Sequence, residues 1–327
     1  MTLAPYIHAM GRGPSKARSL TEAEAQDAMA QMMSGETAPE AIGALLMLMR
    51  FRGETADEIA GFTRAARSEL GDWTSVAADL DWPSYAAGRS RGLPWFLLSA
   101  LLLARSGHRV LLHGWNSHQN VAANARDAAR SLRIPFAGRP DCAVTAMARG
   151  GIAYVPLEAL SPRLLHLLRL RDVLGLRSCM NTVCRMLNPA GAVCGVQGVF
   201  HPSYRELQQE AAALLGQRNV MILKGGGGEF ERHPGKTVSL YGLAEGEPFL
   251  IPAKPLSEEH RRLSATATDP SHLLAVWHGH TYDPWAEAIV VGTAAAALKA
   301  LFPGQDLAEA EARAHALWAG RFGQLAA

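Results

Sequence analysis

The segment KGGGGEFER (224–232) places a lysine, four consecutive glycines and two carboxylates split by one aromatic residue in nine positions. Glycine backbone can be approached closely because no Cβ blocks it, and successive N–H groups can form an anion nest. Lys224, Gly225, Gly226, Gly227 and Arg232 are therefore candidate phosphate contacts. Glu229 and Glu231 supply the hard oxygen ligands that Mg²⁺ takes, or they pair with Arg232 and Lys236. The GxxxxGK[ST] pattern of a Walker loop is absent. The plainer alternative is a tight turn after a strand.

A second polar segment, HGWNSHQN (113–120), offers His113 and Asn116 to phosphate or base edges, or caps the next helix with Asn and Ser. Arg126 and Arg130, with Arg133, lie at i, i+4 and i+7 of a helical pattern, on one face that binds an anion or is merely solvated. Arg89 and Arg91 precede an apolar helix, where cations oppose the helix dipole and draw anions. His278 and His280 form an HxH without an evident third ligand.

These residues need elements to hold them. Thr21-x-x-Glu24, Thr37-x-x-Glu40 and Thr55-x-x-Glu58 read as three capping boxes, with Gly35, Gly53 and Gly71 as stops. They imply a three-helix unit over 20–70. From about residue 80, strands at 108–112, 151–157, 191–200 and 220–225 alternate with helices at 94–105, 121–132, 160–175 and 203–216. Alternation of this kind implies a mostly parallel sheet covered by helices. In such a sheet ligands sit beyond the carboxyl ends of the strands. An apolar helix (284–302) and an acidic one (305–321) close the chain.

The 327 residues suffice for one large or two moderate domains with a real core. The apolar run at 93–104 is too short to span a bilayer, and the N-terminus lacks the apolar core of a signal peptide. The four cysteines (142, 179, 184, 194) form no CxxC pair, so buried free thiols in a reducing cytoplasm are expected. The formal net charge of +2 hides an asymmetry. Residues 86–140 carry eight arginines against the single Asp127, while both ends of the chain are acidic. That distribution points to a polyanionic partner or a phosphate-bearing substrate.

Taken together, LTEAEAQDAMAQMMSGETAPEAIGALLMLMRFRGETADEIAGFTRAAR, RVLLHGWNS, RDVLGLRSCMNTVCRMLNP, GVQGVFHPSY and the glycine run resemble glycosyltransferase family 3. This family contains the anthranilate phosphoribosyltransferases and pyrimidine nucleoside phosphorylases. The resemblance covers nearly the whole chain. It implies a small N-terminal helical domain (1–78, completed by helices within 160–188) and a larger α/β domain (79–327) with a mostly parallel central sheet. The active site would lie in the cleft between them, and the chain would pair into a homodimer through its helical domain.

The family's active-site motifs are only partly kept. Its glycine-rich pyrophosphate segment falls on Ser84-Tyr85-Ala86-Ala87-Gly88, and the serine that follows it on Phe96. The lysine before His113-Gly114 becomes Leu112, and the metal-binding Asp-Glu becomes Phe230-Glu231. Arg171 matches the arginine placed near anthranilate. The sequence is most similar to the YbiB-like branch, which binds nucleic acid. The resemblance thus implies a degraded phosphoribosyl-pyrophosphate and Mg²⁺ site, without a required cofactor. An arginine-rich cleft of Arg89, Arg91, Arg171, Lys224 and Arg232 would bind DNA or RNA with little sequence preference, or a small phosphate anion. Trp115 and Tyr85 would be stacking platforms there, unless they are ordinary core or cleft aromatics. The alternative is a phosphoribosyltransferase with a modified active site, for which Mg²⁺ would again be needed. A cytoplasmic location and no membrane partner are expected.

Overall fold

The computed structural model describes residues 2–13, 15–86, 92–115, 124–259, 261 and 269–322. Arg89, Arg91 and Asn116 lie outside the described residues. Among the described residues, seven strands form one sheet: β1 (Leu80–Ser84), β2 (Val110–Gly114), β3 (Ile152–Pro156), β4 (Cys194–Val199), β5 (Asn219–Lys224), β6 (Val238–Ala244) and β7 (Glu247–Ala253). Their order is β3-β2-β1-β4-β5-β6-β7, with β1 to β5 parallel and β6 and β7 antiparallel at one edge.

The chain runs outward from β1 through β2 to β3, then returns to β4 on the other side of β1. The β1–β4 junction is therefore the topological switch point, where open α/β sheets place their ligand crevice. Only Leu80–Cys194 and Asp81–Gly195 pair across it, so the two strands part before their carboxyl ends.

Both faces of the sheet are covered, as the apolar runs in β2 and β5 require. Val110, Leu112, Met221 and Leu223 face the helices Phe96–Arg105 and Pro284–Leu301. Leu111, Val220 and Ile222 face the opposite cluster, which joins the N-terminal helices to those within 157–187. The Pro284–Leu301 helix is long and apolar enough to cross a membrane, yet 72% of it is buried inside the protein, as a core helix.

Thr21 and Thr55 close capping boxes as expected. Thr37 does not: Ala38 is the N-cap and Pro39 the first helical residue, while the Thr37 hydroxyl donates to Gln31 O at 2.7 Å. Proline favours that first position and drives the residue before it out of helical geometry, as Ala38 shows with ψ 128°. The same rule moves the start of the helix expected over 160–175 to Pro162. Ser161 before Pro162 is extended, and separate helices run over Pro162–Arg169 and Arg171–Leu174. The third stop is also misplaced: the helix from Thr55 ends at Ser68, three residues before Gly71. Strands β1, β6 and β7 and the helices Ala4–Gly11 and Pro140–Gly150 are additions to the sequence reading. Cys142 is exposed, whereas the other three cysteines are buried.

The helix Ala56–Ser68 packs so closely on Glu22–Ser34 that a Cβ at Gly61 would stand 2.2 Å from Glu22 O and 2.8 Å from Gln26 N. In Gly61→Ala, overpacking of about 1–3 kcal/mol outweighs the helix-propensity gain of about 1 kcal/mol. Urea denaturation is expected to show a net loss of stability.

Candidate functional site

The glycine run is a return turn. Gly225 N–H donates to Val199 O, and Gly228 N–H donates back to Gly225 O, both at 3.2 Å. Gly227 and Gly228 take φ of +67° and +87°, values open to glycine at little cost. The chain then folds back over β4. A Cβ on Gly198 would lie 2.1 Å from the Glu229 carbonyl carbon, and one on Gly225 would lie 1.8 Å from Glu229 O. Gly198 on β4 and Gly225 just past β5 thus leave room for the backbone at Glu229-Phe230.

That crossing delivers Phe230 to the β1–β4 junction. Its ring meets Trp82 edge-on at 5.5 Å, and Trp82 stacks on Phe96 at 6.2 Å. All three are fully buried, and Leu112 lies in the same apolar cluster. The Glu231 carboxylate accepts the Phe96 N–H at 3.2 Å. This acceptor places the helix start at Phe96, two residues beyond the expected Pro94, because Trp95 has no side chain that can cap.

The residues present do not fit the family's Mg²⁺ site. Glu231 is committed to a helix terminus, its neighbour Phe230 is an apolar plug, and Glu229 is 1% exposed. Among the described residues no three His, Cys, Asp or Glu side chains form a metal-binding group, and this includes the HxH at 278–280.

Several expected anion contacts are likewise structural. His113 is fully buried, with Nδ1 2.9 Å from the Tyr85 hydroxyl and Nε2 3.3 Å from Asp81. Tyr85 is buried too, so it is no stacking platform, and burial raises its phenol well above the usual range. Trp115 stays partly exposed. Arg232 is a core residue: it pairs with Glu311 at 2.6 Å and donates to Lys254 O at 2.7 Å. Arg126 pairs with Glu158 at 2.5 Å, and Arg130 pairs with Asp127 at 3.1 Å while lying over the Phe136 ring. Arg133 falls beyond the helix end at Ser131 with φ +56°, so the three-arginine face does not form.

What remains open at the strand ends is exposed Lys224, the partly exposed Gly225, Gly226 and Gly227, and half-buried Arg171. Burial and the neighbouring Arg177 both lower the Arg171 guanidinium from its ordinary value. The sequence reading missed Arg177, Asn181 and Arg185, which stand beside a small cavity at the end of β4. Their i, i+4, i+8 spacing was the available signal.

A family profile described as the helical bundle domain of the glycosyl transferase family matches residues 4–69. An anthranilate phosphoribosyltransferase from Bacillus caldotenax is 30% identical over 214 residues, covering 64% of this chain and 87% of that protein. One from Methylobacterium nodulans is 28% identical over 321 residues, 95% of this chain and 92% of that protein. Among solved structures, the anthranilate phosphoribosyltransferase of Thermus thermophilus superposes with a TM-score of 0.78 at 24% identity, covering 97% of this chain and 94% of that one. The architecture is therefore that of these transferases.

In Arg232→Met, Glu311 loses its partner and the Lys254 carbonyl its donor. A loss of about 3 kcal/mol is expected by denaturation, at the low end for a broken buried pair because Glu311 keeps some solvent. Anion affinity is expected to stay unchanged, as for a core residue.

Proposed function

Because the chain belongs to the glycosyl transferase family that contains the anthranilate phosphoribosyltransferases, we propose that it is a phosphoribosyltransferase with a modified active site. Its donor site would work without that family's carboxylate-held metal. The observation that carries this reading is the likeness to anthranilate phosphoribosyltransferases along 95% of the chain, combined with a glycine loop still open beside Lys224.

Phosphoribosyl transfer joins an acceptor nitrogen to ribose C1 while the C1–O bond to pyrophosphate breaks. The proton on the nitrogen passes to solvent. The barrier depends on stabilising charge on the departing pyrophosphate, which is electrostatic work. Lys224 and the Gly226 and Gly227 amides would supply it from the end of β5, and Arg89 and Arg91 follow β1 closely in sequence. Guanidinium groups bind phosphate through paired, charge-assisted hydrogen bonds, and so take over part of a cation's role. Arg171 would orient an anionic acceptor, anthranilate or a relative of it. A cytoplasmic location and pairing through the helical domain belong to the same proposal.

A second reading is favoured by the net charge of +7 over residues 86–140 and by the structural use of Glu231. Here the chain binds DNA or RNA non-specifically and has given up transfer, as in the nucleic-acid-binding branch of the family.

Calorimetric titration with phosphoribosyl pyrophosphate separates the two. Saturable binding of equal affinity in Mg²⁺ and in EDTA is expected. Binding that requires Mg²⁺ would contradict the metal-independent donor site. No binding, with a labelled single-stranded oligonucleotide retained at low salt and released steeply as salt rises, would move the conclusion to nucleic acid.

A further inference from the structure

At the carboxyl end of β4, a cavity of about 60 Å³ opens between the helix Pro39–Arg52, the segment 177–185 and the start of the helix Tyr204–Leu214. A water-sized occupant needs roughly 10–15 Å³ measured this way, so the space suits a group of about five heavy atoms. Its lining is cationic: Arg50, Arg177 and Arg185 reach it from different elements.

Among the described residues, no carboxylate forms a salt bridge with Arg50 or Arg177, while the charge of Glu229 acts on Arg185. Arg50 donates only to the Tyr204 hydroxyl, at 3.3 Å. Arg177 lies over the Phe200 ring, 5.7 Å from its centroid. Arg185 is 4% exposed and anchored by Asn181 Oδ1 at 2.5 Å and Tyr85 O at 2.7 Å. Tyr204 in turn donates its hydroxyl to Glu54 at 2.7 Å.

A second, independent observation comes from Gln208. It lines the cavity at 1% exposure, and its buried Oε1 has no hydrogen-bonding partner among the described residues. An unmet buried amide costs about 1–3 kcal/mol, which a bound ligand would relieve. Its two ends are interchangeable by rotation, so it can turn its NH₂ to an acceptor. Charge tells the same story. Burial pushes Arg185 down to about 10, and Arg177 is lowered by burial and then by Arg50. Arg177 and Arg50 thus repel each other, a repulsion that a bound dianion would relieve.

We propose that this cavity binds a tetrahedral phosphate dianion, either inorganic phosphate or the phosphomonoester of a sugar phosphate, held by Arg50, Arg177 and Gln208. Tetrahedral phosphate matches the cavity in size, carries up to two negative charges and accepts paired hydrogen bonds from guanidinium groups. The site shares no side chain with the glycine loop, so it stands whether or not transfer occurs there. Because Arg50 comes from the N-terminal helices and Gln208 from the α/β part, occupancy would tie the two together.

The test is calorimetry and thermal unfolding with inorganic phosphate and with ribose 5-phosphate, on wild type, Arg177→Gln and Arg50→Gln. One saturable phosphate per chain is expected, with an affinity loss of about tenfold or more in each variant, as for one charge-assisted partner removed. In phosphate-free buffer Arg177→Gln is expected to unfold at the wild-type temperature or above, because repulsion is relieved; a purely structural arginine would lower it. Tighter binding of ribose 5-phosphate identifies a sugar phosphate as ligand, and equal binding identifies phosphate itself. No saturable binding of either probe, or wild-type affinity in both variants, overturns the proposal.

Discussion

The chain crosses β4 at Gly198 with less room than any side chain would leave. Most of what distinguishes this protein follows from that crossing. Glycines at 198 and 225 let Glu229-Phe230 lie against the sheet, and positive φ at Gly227 and Gly228 turns the strand back sharply enough to reach it. Phe230 then enters the gap where β1 and β4 part. Aromatic burial there gives the turn an energetic reason, since a ring of this size repays the ordering of flexible glycine backbone.

The same crossing sets the roles of the charged residues around it. Glu231 is carried to the amide end of the Phe96–Arg105 helix, Arg232 to Glu311 and the Lys254 carbonyl in the core. A carboxylate at a helix start and a buried arginine held by a carboxylate are stable arrangements that leave little for a ligand. Cationic character persists in a different place. It gathers around Arg177, one strand away from the glycine loop, and in Lys224 at the loop's edge. The fold of the anthranilate phosphoribosyltransferases is thus kept while its switch point becomes apolar and its positive charge moves aside.

Much of this was legible in the sequence, for identifiable reasons. The helix caps at Thr21 and Thr55 depend on contacts three residues apart, and the alternation of strands and helices on runs of similar length. Thr37 failed because a proline two positions later overrode the capping pattern. Strand β1 (LDWPS) escaped notice because it is short, polar at two positions and contains proline. The hairpin of β6 and β7 broke the alternation on which the sequence reading relied. At the site, the losses at Phe96, Leu112 and Phe230 could be seen by alignment of motifs, and all three side chains are buried together. What could not be read was partnership. Glu311 lies 79 residues from Arg232 and Glu158 lies 32 from Arg126, so nothing local marked those arginines as already neutralised.

The most direct measurement is the unfolding free energy of Phe230→Asp, taken with and without Mg²⁺. This substitution returns a carboxylate to the position where the family carries one. If the switch point is a packed aromatic plug, the variant loses at least about 3 kcal/mol through the lost ring and the buried charge, and Mg²⁺ does not restore it. Near-wild-type stability that rises with Mg²⁺ would mean that a metal pocket survives there, and would contradict the account.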